Sequence, residues 1–542
     1  MISPVLRSFL QLKGLDPTYI NEKGESVETS IDTIKQLITL LGFNSDDEQA
    51  LNTYYQQEET RHWLSLLPPV AVCQQSSCYP LEVRLPIDFV TDSLIYRITT
   101  EEKEVIECRL TATDFVLLAV NEISDVEFQL YNVELTADLN IGYHQLSLLE
   151  EGNESPLAVM SLIITPEHCY QTKGEIGKWE IKGINISLNE VQSGGIKRIT
   201  DIKEVIKEEQ RNEIDVVYLT SSNTFLNSNV NDFPFFGIRS LTPLNIDIQA
   251  IKEFTSHSLL PEKMSSVQNS ADGIDYMALL RYQVLSLRTL YDVLHNGEKI
   301  HQDRLADFQE FVIKRGASLQ RQAAYNAIVF TSLSQENPNW INSFPCFDCK
   351  ATQEWMNAHS DDLLFWSYCQ WIAEEQLFDI KKLLTSFGIK SGLYQDFFVA
   401  DIANSHWFDT NVFCPKIKIG KAPELANIEY ENRMLSPFLP DPLYHSGYQI
   451  FISLLQEHMR FTDVLNIHDI ASLLRVWLVP DNANDEQGVF AYYNVYDLIN
   501  IVALESYRNQ CVIVGEHFDY LPDGLAALLK VSGVTECRFY TH

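Results

Sequence analysis

The chain has 542 residues, of which 45% are apolar and 11% aromatic, so it can bury a large core and does not have the composition of a disordered protein. Its formal net charge is −34. Nucleic acids and anionic membrane surfaces require clustered Lys and Arg, so this charge argues against both as partners. A neutral ligand such as a sugar remains compatible with it.

Several sequence features bear on location. No apolar run is long enough to span a bilayer, and the N-terminal segment lacks the apolar region of a signal peptide. Ten cysteines in so long a chain do not indicate a disulfide framework, so we expect a reducing cytoplasm. Cys346 and Cys349 form one C-x-x-C motif without the second pair of a zinc site. We expect two loop thiols there, and no metal or cofactor.

The first two regions differ in periodicity. Residues 1–66 are predicted to be a helical domain, in which Ser30 caps a helix that Gly42 ends. Residues 67–168 contain short, regularly spaced segments rich in β-branched residues, which is typical of a small antiparallel β-sandwich domain.

The remaining residues, 169–542, alternate between buried strands and helices, with a long helical insertion at about 250–390. Such alternation predicts an α/β domain with a parallel sheet. The last predicted strands are "FTDVLNI", "CVIVGE" and "ECRFY".

Two of these strand ends carry an acid beside a histidine. His468 and Asp469 follow one strand, and Glu516 and His517 follow another. In a (β/α) barrel, function lies at the carboxyl ends of the strands. Retaining sugar chemistry requires two carboxylates about 5 Å apart, one as nucleophile and one as acid/base. Glu516 suits the acid/base role, whereas position 468 offers no carboxylate.

Nearly the whole chain resembles the 4-α-glucanotransferases (amylomaltases, or disproportionating enzymes, of glycoside hydrolase family 77) in their long bacterial form. The resemblance is carried by "NIGYHQLSL", "DYMALLRYQVLSL", "GIKSGLYQDFFV", "VLNIHDIASLLRVWLVP", "EQGVFAYYNVYDLINIVALES" and "VIVGEHFDYLP". It implies a TIM barrel, α-glucan or maltodextrin as substrate, and three catalytic carboxylates.

The resemblance also identifies departures at the expected site. The family's L-R-I-D-H is here L-N-I-H-D, which replaces the nucleophilic Asp by His468 and the preceding Arg by Asn466. The acid/base Glu516 is retained, followed by His517, and Asp396 also matches. Other substrate-contacting positions differ: Arg198 ends the changed first-strand motif, Asn223 replaces a His and Phe233 a Tyr, and residues 432–436 read "NRMLS".

The family's third carboxylate lies beyond the sixth strand, and this chain stops at His542. We therefore expect an incomplete TIM barrel of about six strands, with its first and sixth strands as open edges. Open edges would favour a homo-oligomer or a complex with another protein.

Asp469 could replace the nucleophile only if a bulge re-aimed it, because side chains alternate along a strand and Asn466 and His468 occupy the inward positions. His468 could itself attack, but it supplies no negative charge to the transition state. Three interpretations follow: an inactive relative that binds glucan or a partner protein, an active 4-α-glucanotransferase with a rearranged site, or a remnant without function.

Overall fold

The structure is a computed structural model. It describes residues 2–541 except 22–23, 77, 90–93, 173–178, 188–190, 193–194, 197, 210–213, 221–240, 256–275, 297–301, 336, 338, 390, 403–404, 424–434, 485–486, 517 and 519–520.

The N-terminal region packs directly on the barrel region. Its elements are α1 (Pro4–Leu12), β1 (Leu15–Asp16), β2 (Thr18–Ile20), β3 (Ser26–Glu28), α2 (Ile31–Leu40) and α3 (Glu48–Leu64). The predicted cap is confirmed, since the Ser30 side chain accepts a hydrogen bond from the Thr33 N–H, and Gly42 adopts φ 92° just past the helix. Phe9 and Ile34 belong to the same buried cluster as the barrel helices, so this region has no separate core.

A two-sheet sandwich follows. It contains β4 (Val70–Gln74), β5 (Cys78–Pro86), β6 (Leu94–Thr99), β7 (Val105–Arg109), β8 (Phe115–Ile123), β9 (Val126–Thr136), β10 (Gly142–Glu150) and β11 (Ala158–Thr165). The strand orders are β4-β11-β10-β6-β7 and β5-β9-β8. The expected antiparallel pairing is found except between β4 and β11, which run parallel.

The third region begins with strands that lead into a helical insertion. Its first elements are β12 (Trp179–Ser187), β13 (Val191–Gln192), β14 (Gly195–Ile196), α4 (Ile202–Glu209) and β15 (Val216–Thr220). The insertion contains α5 (Tyr276–Asn296), α6 (Gln302–Ser334), α7 (Trp340–Ser343), α8 (Lys350–Ala358) and α9 (Ser360–Ser386).

The chain then returns to the barrel. The remaining elements are β16 (Leu393–Phe397), β17 (Asp401–Ile402), β18 (Ile417–Ile419), β19 (Leu435–Ser436), α10 (Pro440–His445), α11 (Gln449–Met459), β20 (Val464–Ile467), β21 (Arg475–Pro480), β22 (Val489–Tyr492), α12 (Val495–Asn509), β23 (Val512–Gly515), α13 (Leu525–Val531) and β24 (Thr535–Thr541).

Six parallel strands form a closed barrel in the order β12-β15-β16-β20-β23-β24. Closure is made by β12 and β24, whose register runs from Trp179 opposite Cys537 to Gly183 opposite Thr541. The expectation of an incomplete barrel with two open edges is therefore wrong. The first and sixth strands satisfy each other's backbone hydrogen bonds, which removes the reason for expecting a partner at that edge.

Outside the barrel, β1 joins a sheet in the order β1-β22-β21-β18. This sheet attaches the N-terminal region to the segments between barrel strands. No helix among the described ranges is long and apolar enough to cross a membrane.

Candidate active site

Aromatic side chains fill the middle of the barrel. The rings of Tyr218, Tyr394 and Phe539, from three different strands, contact one another with centroids 5.1, 5.5 and 5.2 Å apart. Gly183 leaves room for this layer, because a Cβ there would lie 2.6 Å from the Phe539 ring. The barrel centre is thus a packed core, and any ligand must bind at the carboxyl ends of the strands.

A polar network begins at the level of Asp396 and Asn466, which lie opposite each other on β16 and β20. The Asn466 side-chain amide donates to Asp396 Oδ1 at 2.9 Å and to Glu516 Oε1 at 2.6 Å. The Tyr218 hydroxyl donates to Asp396 Oδ2 at 2.5 Å. Asn466 is fully buried, so one amide group links two carboxylates inside the barrel.

His468 occupies the next inward position, directly after the end of β20. Its Nδ1 is 3.2 Å from Glu516 Oε2, and its ring contacts that of Phe398 in a tilted arrangement, with centroids 4.9 Å apart. About one third of each side chain, His468 and Glu516, is exposed. The structure therefore brings together His468, Glu516, Asn466 and Asp396, and both oxygens of Glu516 are engaged.

Asp469 lies where the chain leaves the direction of β20. The register of β20 with its two neighbours is continuous to Ile467, so no bulge shifts the strand. Asp469 then adopts φ 53°, and its carbonyl accepts from the Ser472 N–H at the start of a short 3-10 turn. The chain leaves the strand direction at this residue, and the inward positions remain those of Asn466 and His468.

Below the polar network, burial disfavours the charged forms of titratable side chains. Burial raises the pKa of the Cys537 thiol to about 12. Burial also raises the pKa of Tyr394, and the nearby Cys537, Asp396 and Glu516 add to that effect. Tyr394 and Cys537 are consequently neutral, and the charged groups are confined to the upper layer.

The other predicted positions lie elsewhere. Arg198 forms an ion pair with Asp247, 3.4 Å from Nη1 to Oδ1, on the exposed side of the helical insertion. Asn223, Phe233 and His517, as well as residues 432–434, fall outside the described residues. Within the described part of the chain, no group of three His, Cys, Asp or Glu side chains is placed to hold a metal ion.

Tyr218 and Phe539 were not recognised as site residues from the sequence. The alternation in "IDVVYLT" and "ECRFY" places each on the same face as buried Val216 and Cys537, respectively. That alternation could have predicted two inward aromatics, but not their mutual contact.

Comparison with known proteins agrees with this architecture. The model of the glycoside hydrolase 77 family, described as 4-alpha-glucanotransferase, matches residues 185–540, and a MalQ N-terminal beta sandwich domain matches residues 66–166. An amylomaltase from Corynebacterium glutamicum superposes with a TM-score of 0.72 at 19% identity, covering 98% of this chain and 74% of that one. At that identity the superposition supports the fold.

Two curated relatives named 4-alpha-glucanotransferase show the same relationship. The Haemophilus influenzae protein is 25% identical over 417 residues, which are 71% of this chain and 58% of the relative. The Mycobacterium tuberculosis protein is 23% identical over 538 residues, which are 95% of this chain and 72% of the relative. The family model covers well over half of the sequence, and the chain therefore belongs to the 4-alpha-glucanotransferase family, glycoside hydrolase family 77.

Proposed function

We propose that this protein is a catalytically inactive member of its family that acts by binding α-glucan. The observation that carries the proposal is the contact between His468 and Glu516, 3.2 Å from Nδ1 to Oε2. By resemblance, position 468 is where the nucleophilic Asp belongs, and Glu516 is the acid/base.

Position 468 lacks the carboxylate of a retaining mechanism. A retaining mechanism needs a carboxylate that attacks the sugar and carries negative charge close to an oxocarbenium-like transition state. His468 supplies no such charge, and Asp469 lies past the point where the chain turns away from β20.

Both carboxyl oxygens of Glu516 are in contact with other side chains. Its Oε1 accepts from Asn466, and its Oε2 lies 3.2 Å from His468 Nδ1. A general acid must hold a proton and direct it at the glycosidic oxygen. Glu516 would have to break at least one of these contacts to do so.

One observation favours the alternative of an active enzyme. Asp396 and Glu516 accept from the same nitrogen at 2.9 and 2.6 Å, so the bonded oxygens lie within about 5 to 6 Å, close to the separation used by retaining enzymes. Asp396, however, lies one inward position deeper than residue 468 and is already bonded to Tyr218. We therefore favour the inactive interpretation.

A disproportionation assay with maltodextrins on the purified protein separates the two. We expect no detectable transfer, since losing one member of a catalytic set commonly costs about 10⁴-fold or more. Glu516→Gln and Asp396→Asn should then change nothing. Turnover that either substitution abolishes would establish the active alternative and identify its carboxylate.

Binding separates the proposal from a remnant without function. Titration with maltoheptaose should show weak, saturable binding, with Kd near millimolar, about 4 kcal/mol. His468→Ala should weaken it, whereas Tyr507→Ala, an exposed aromatic on α12, should not. Absence of saturable binding would leave the remnant interpretation.

Two further parts of the proposal concern location and partners. All ten cysteines are free thiols, which supports a reducing compartment such as the cytoplasm. A homo-oligomer or a protein complex would have to use a surface other than the barrel edge, because β12 and β24 are paired with each other.

A further inference from the structure

The C-x-x-C motif lies in the helical insertion, between α7 and α8. Phe347 and Asp348 form a turn between Cys346 and Cys349, and α8 begins directly after Cys349. A four-residue turn brings its outer Cα atoms within about 7 Å, which is compatible with the span of a disulfide. Both cysteines are partly exposed.

The turn is held rigidly by its central residue. The Phe347 N–H donates to the Trp407 carbonyl at 2.8 Å, and its own carbonyl accepts from the Gln353 side chain at 2.8 Å. The Phe347 ring is buried, and the Arg321 guanidinium lies 4.8 Å from its centroid. The two thiols are therefore presented at the surface by a fixed backbone.

Thr352 organises the pair. Its Oγ1 lies 3.1 Å from Cys349 Sγ and donates to the Cys346 carbonyl at 2.7 Å. Each thiol also affects the pKa of the other. One hydroxyl thus contacts the sulfur of one cysteine and the backbone of the other.

We propose that Cys346 and Cys349 form a dithiol that reacts with small-molecule disulfides and closes into an intramolecular disulfide. The inference goes beyond the proposed glucan binding and is independent of it.

The electrostatic surroundings assign different roles to the two thiols. Partial burial acts to raise the pKa of Cys349, but hydrogen bonds from Thr352 and Cys346 outweigh it and hold that pKa below its usual value. Burial and the adjacent Cys349 raise the pKa of Cys346. Of the ten cysteines, Cys349 alone has a lowered pKa, whereas burial raises that of Cys73 to about 11. Cys349 is therefore the nucleophile.

The proposed thiol–disulfide exchange has two steps. The Cys349 thiolate attacks one sulfur of a small disulfide, forms a mixed disulfide and releases one thiolate. Cys346 gives its proton to water and attacks Cys349 Sγ, which closes the protein disulfide and releases the second thiolate. The two cysteines lose two electrons and two protons, and the small disulfide is reduced to two thiols.

The test equilibrates the native full-length protein with mixtures of glutathione and glutathione disulfide, then quenches with acid and maps the peptides by mass spectrometry. We expect the wild type to lose two of its ten thiols and to yield a peptide in which Cys346 and Cys349 are linked. Cys346→Ser should instead accumulate a glutathionyl adduct on Cys349, and Cys349→Ser should show neither product. Cys73→Ser, a matched control, should behave like the wild type.

The contribution of the fold is measured by repeating the wild-type equilibration in urea. The native chain should favour the 346–349 disulfide at least tenfold over the unfolded chain. The proposal would be overturned if the native chain favoured the 346–349 disulfide no more than the unfolded chain does. It would also be overturned if no linked peptide formed at excess glutathione disulfide, or if glutathionyl adducts were as frequent on Cys73 as on Cys349. The wild-type map does not depend on whether the serine variants fold.

Discussion

Asn466→Asp tests the polar network most directly. The substitution keeps the shape of the side chain but replaces the amide that links Asp396 and Glu516 by a third carboxyl group. Asn466 is fully buried and donates at 2.9 and 2.6 Å, so the new oxygen would face two acceptors without water to screen them. We expect local destabilisation of strands β16 and β20.

The magnitude follows from the contacts. Each hydrogen bond to a charged group contributes about 1.5 to 3 kcal/mol, and both are lost. Proton uptake by the three carboxyls offsets part of this loss of stability. The remaining destabilisation is about 3 kcal/mol at neutral pH, which is roughly a hundredfold in the opening equilibrium.

The effect should depend on pH with a definite sign. Burial and two neighbouring carboxylates would raise the pKa of the introduced carboxyl in the folded chain above about 3.9, its ordinary value. The folded state then binds a proton that the unfolded state has lost. Stability relative to the wild type therefore falls as pH rises from that value through the folded pKa, and the defect is smaller at pH 5 than at pH 7.

Hydrogen exchange followed by mass spectrometry, on peptides spanning β16 and β20, gives the opening equilibrium after correction for intrinsic rates. Asn500→Asp is the matched control, because the Asn500 side-chain oxygen accepts from Gln74 at the surface and Asp keeps that acceptor. It should change the opening free energy by less than about 0.5 kcal/mol. Adding Asp396→Asn to Asn466→Asp should restore part of the protection, since it removes one repelling carboxylate. Equal protection in the Asn466 and Asn500 variants at both pH values would refute the account of the network.

Three further predictions concern other parts of the molecule. Gly183→Ala should destabilise the barrel by about 1 to 3 kcal/mol in chemical denaturation, because its Cβ would meet the Phe539 ring, and Phe539→Leu should relieve the defect. His468→Asp alone should leave disproportionation undetectable, and recovered turnover would mean that another residue supplies the missing charge. The hydrogen bond with Asp441 raises the pKa of His445, so its contribution to thermal stability should be present below about pH 6.5, be lost as pH rises through the folded pKa, and be absent in His445→Gln.

Local patterns predicted the secondary structure well where the signal is short-range. The segments "FTDVLNI" and "CVIVGE" contain β20 and β23, and the Ser30 cap was found as expected. These features depend on periodicity and capping within a few residues. The same is true of the inward positions of Asn466 and His468, which follow from strand alternation.

Closure of the barrel could not be predicted in this way. It depends on pairing between residues 179–183 and 537–541, at opposite ends of the α/β region, and no local pattern encodes such pairing. Counting six strands against an eight-stranded reference led to the wrong conclusion. Strand number, tilt and interior size are linked in a barrel, so fewer strands can still close around a suitably filled interior. Gly183 beside Phe539 is a local sign of that filling.

The hydrogen bonds within the site also could not be predicted from the sequence. Alternation places Asp396, Asn466 and Glu516 on the inner face, but the amide that donates to two carboxylates depends on rotamers and on the offset between three strands. Through these bonds, both carboxylates accept from a single buried donor.

Glu516 therefore cannot both keep its contacts with Asn466 and His468 and interact freely with a substrate. Glu516 could donate a proton to a substrate only by giving up at least one of its contacts, and loss of the contact with Asn466 would leave that buried amide with one acceptor fewer. A substrate would have to compensate for that loss before any transition state was stabilised. Reintroducing one carboxylate at position 468 worsens this balance, because it places a like charge beside Glu516 and removes the imidazole that faces it. Restoring activity would require a rearrangement of the contacts of Glu516 together with the nucleophile, and that coupling is the physical reason for expecting no recovery from a single reversion.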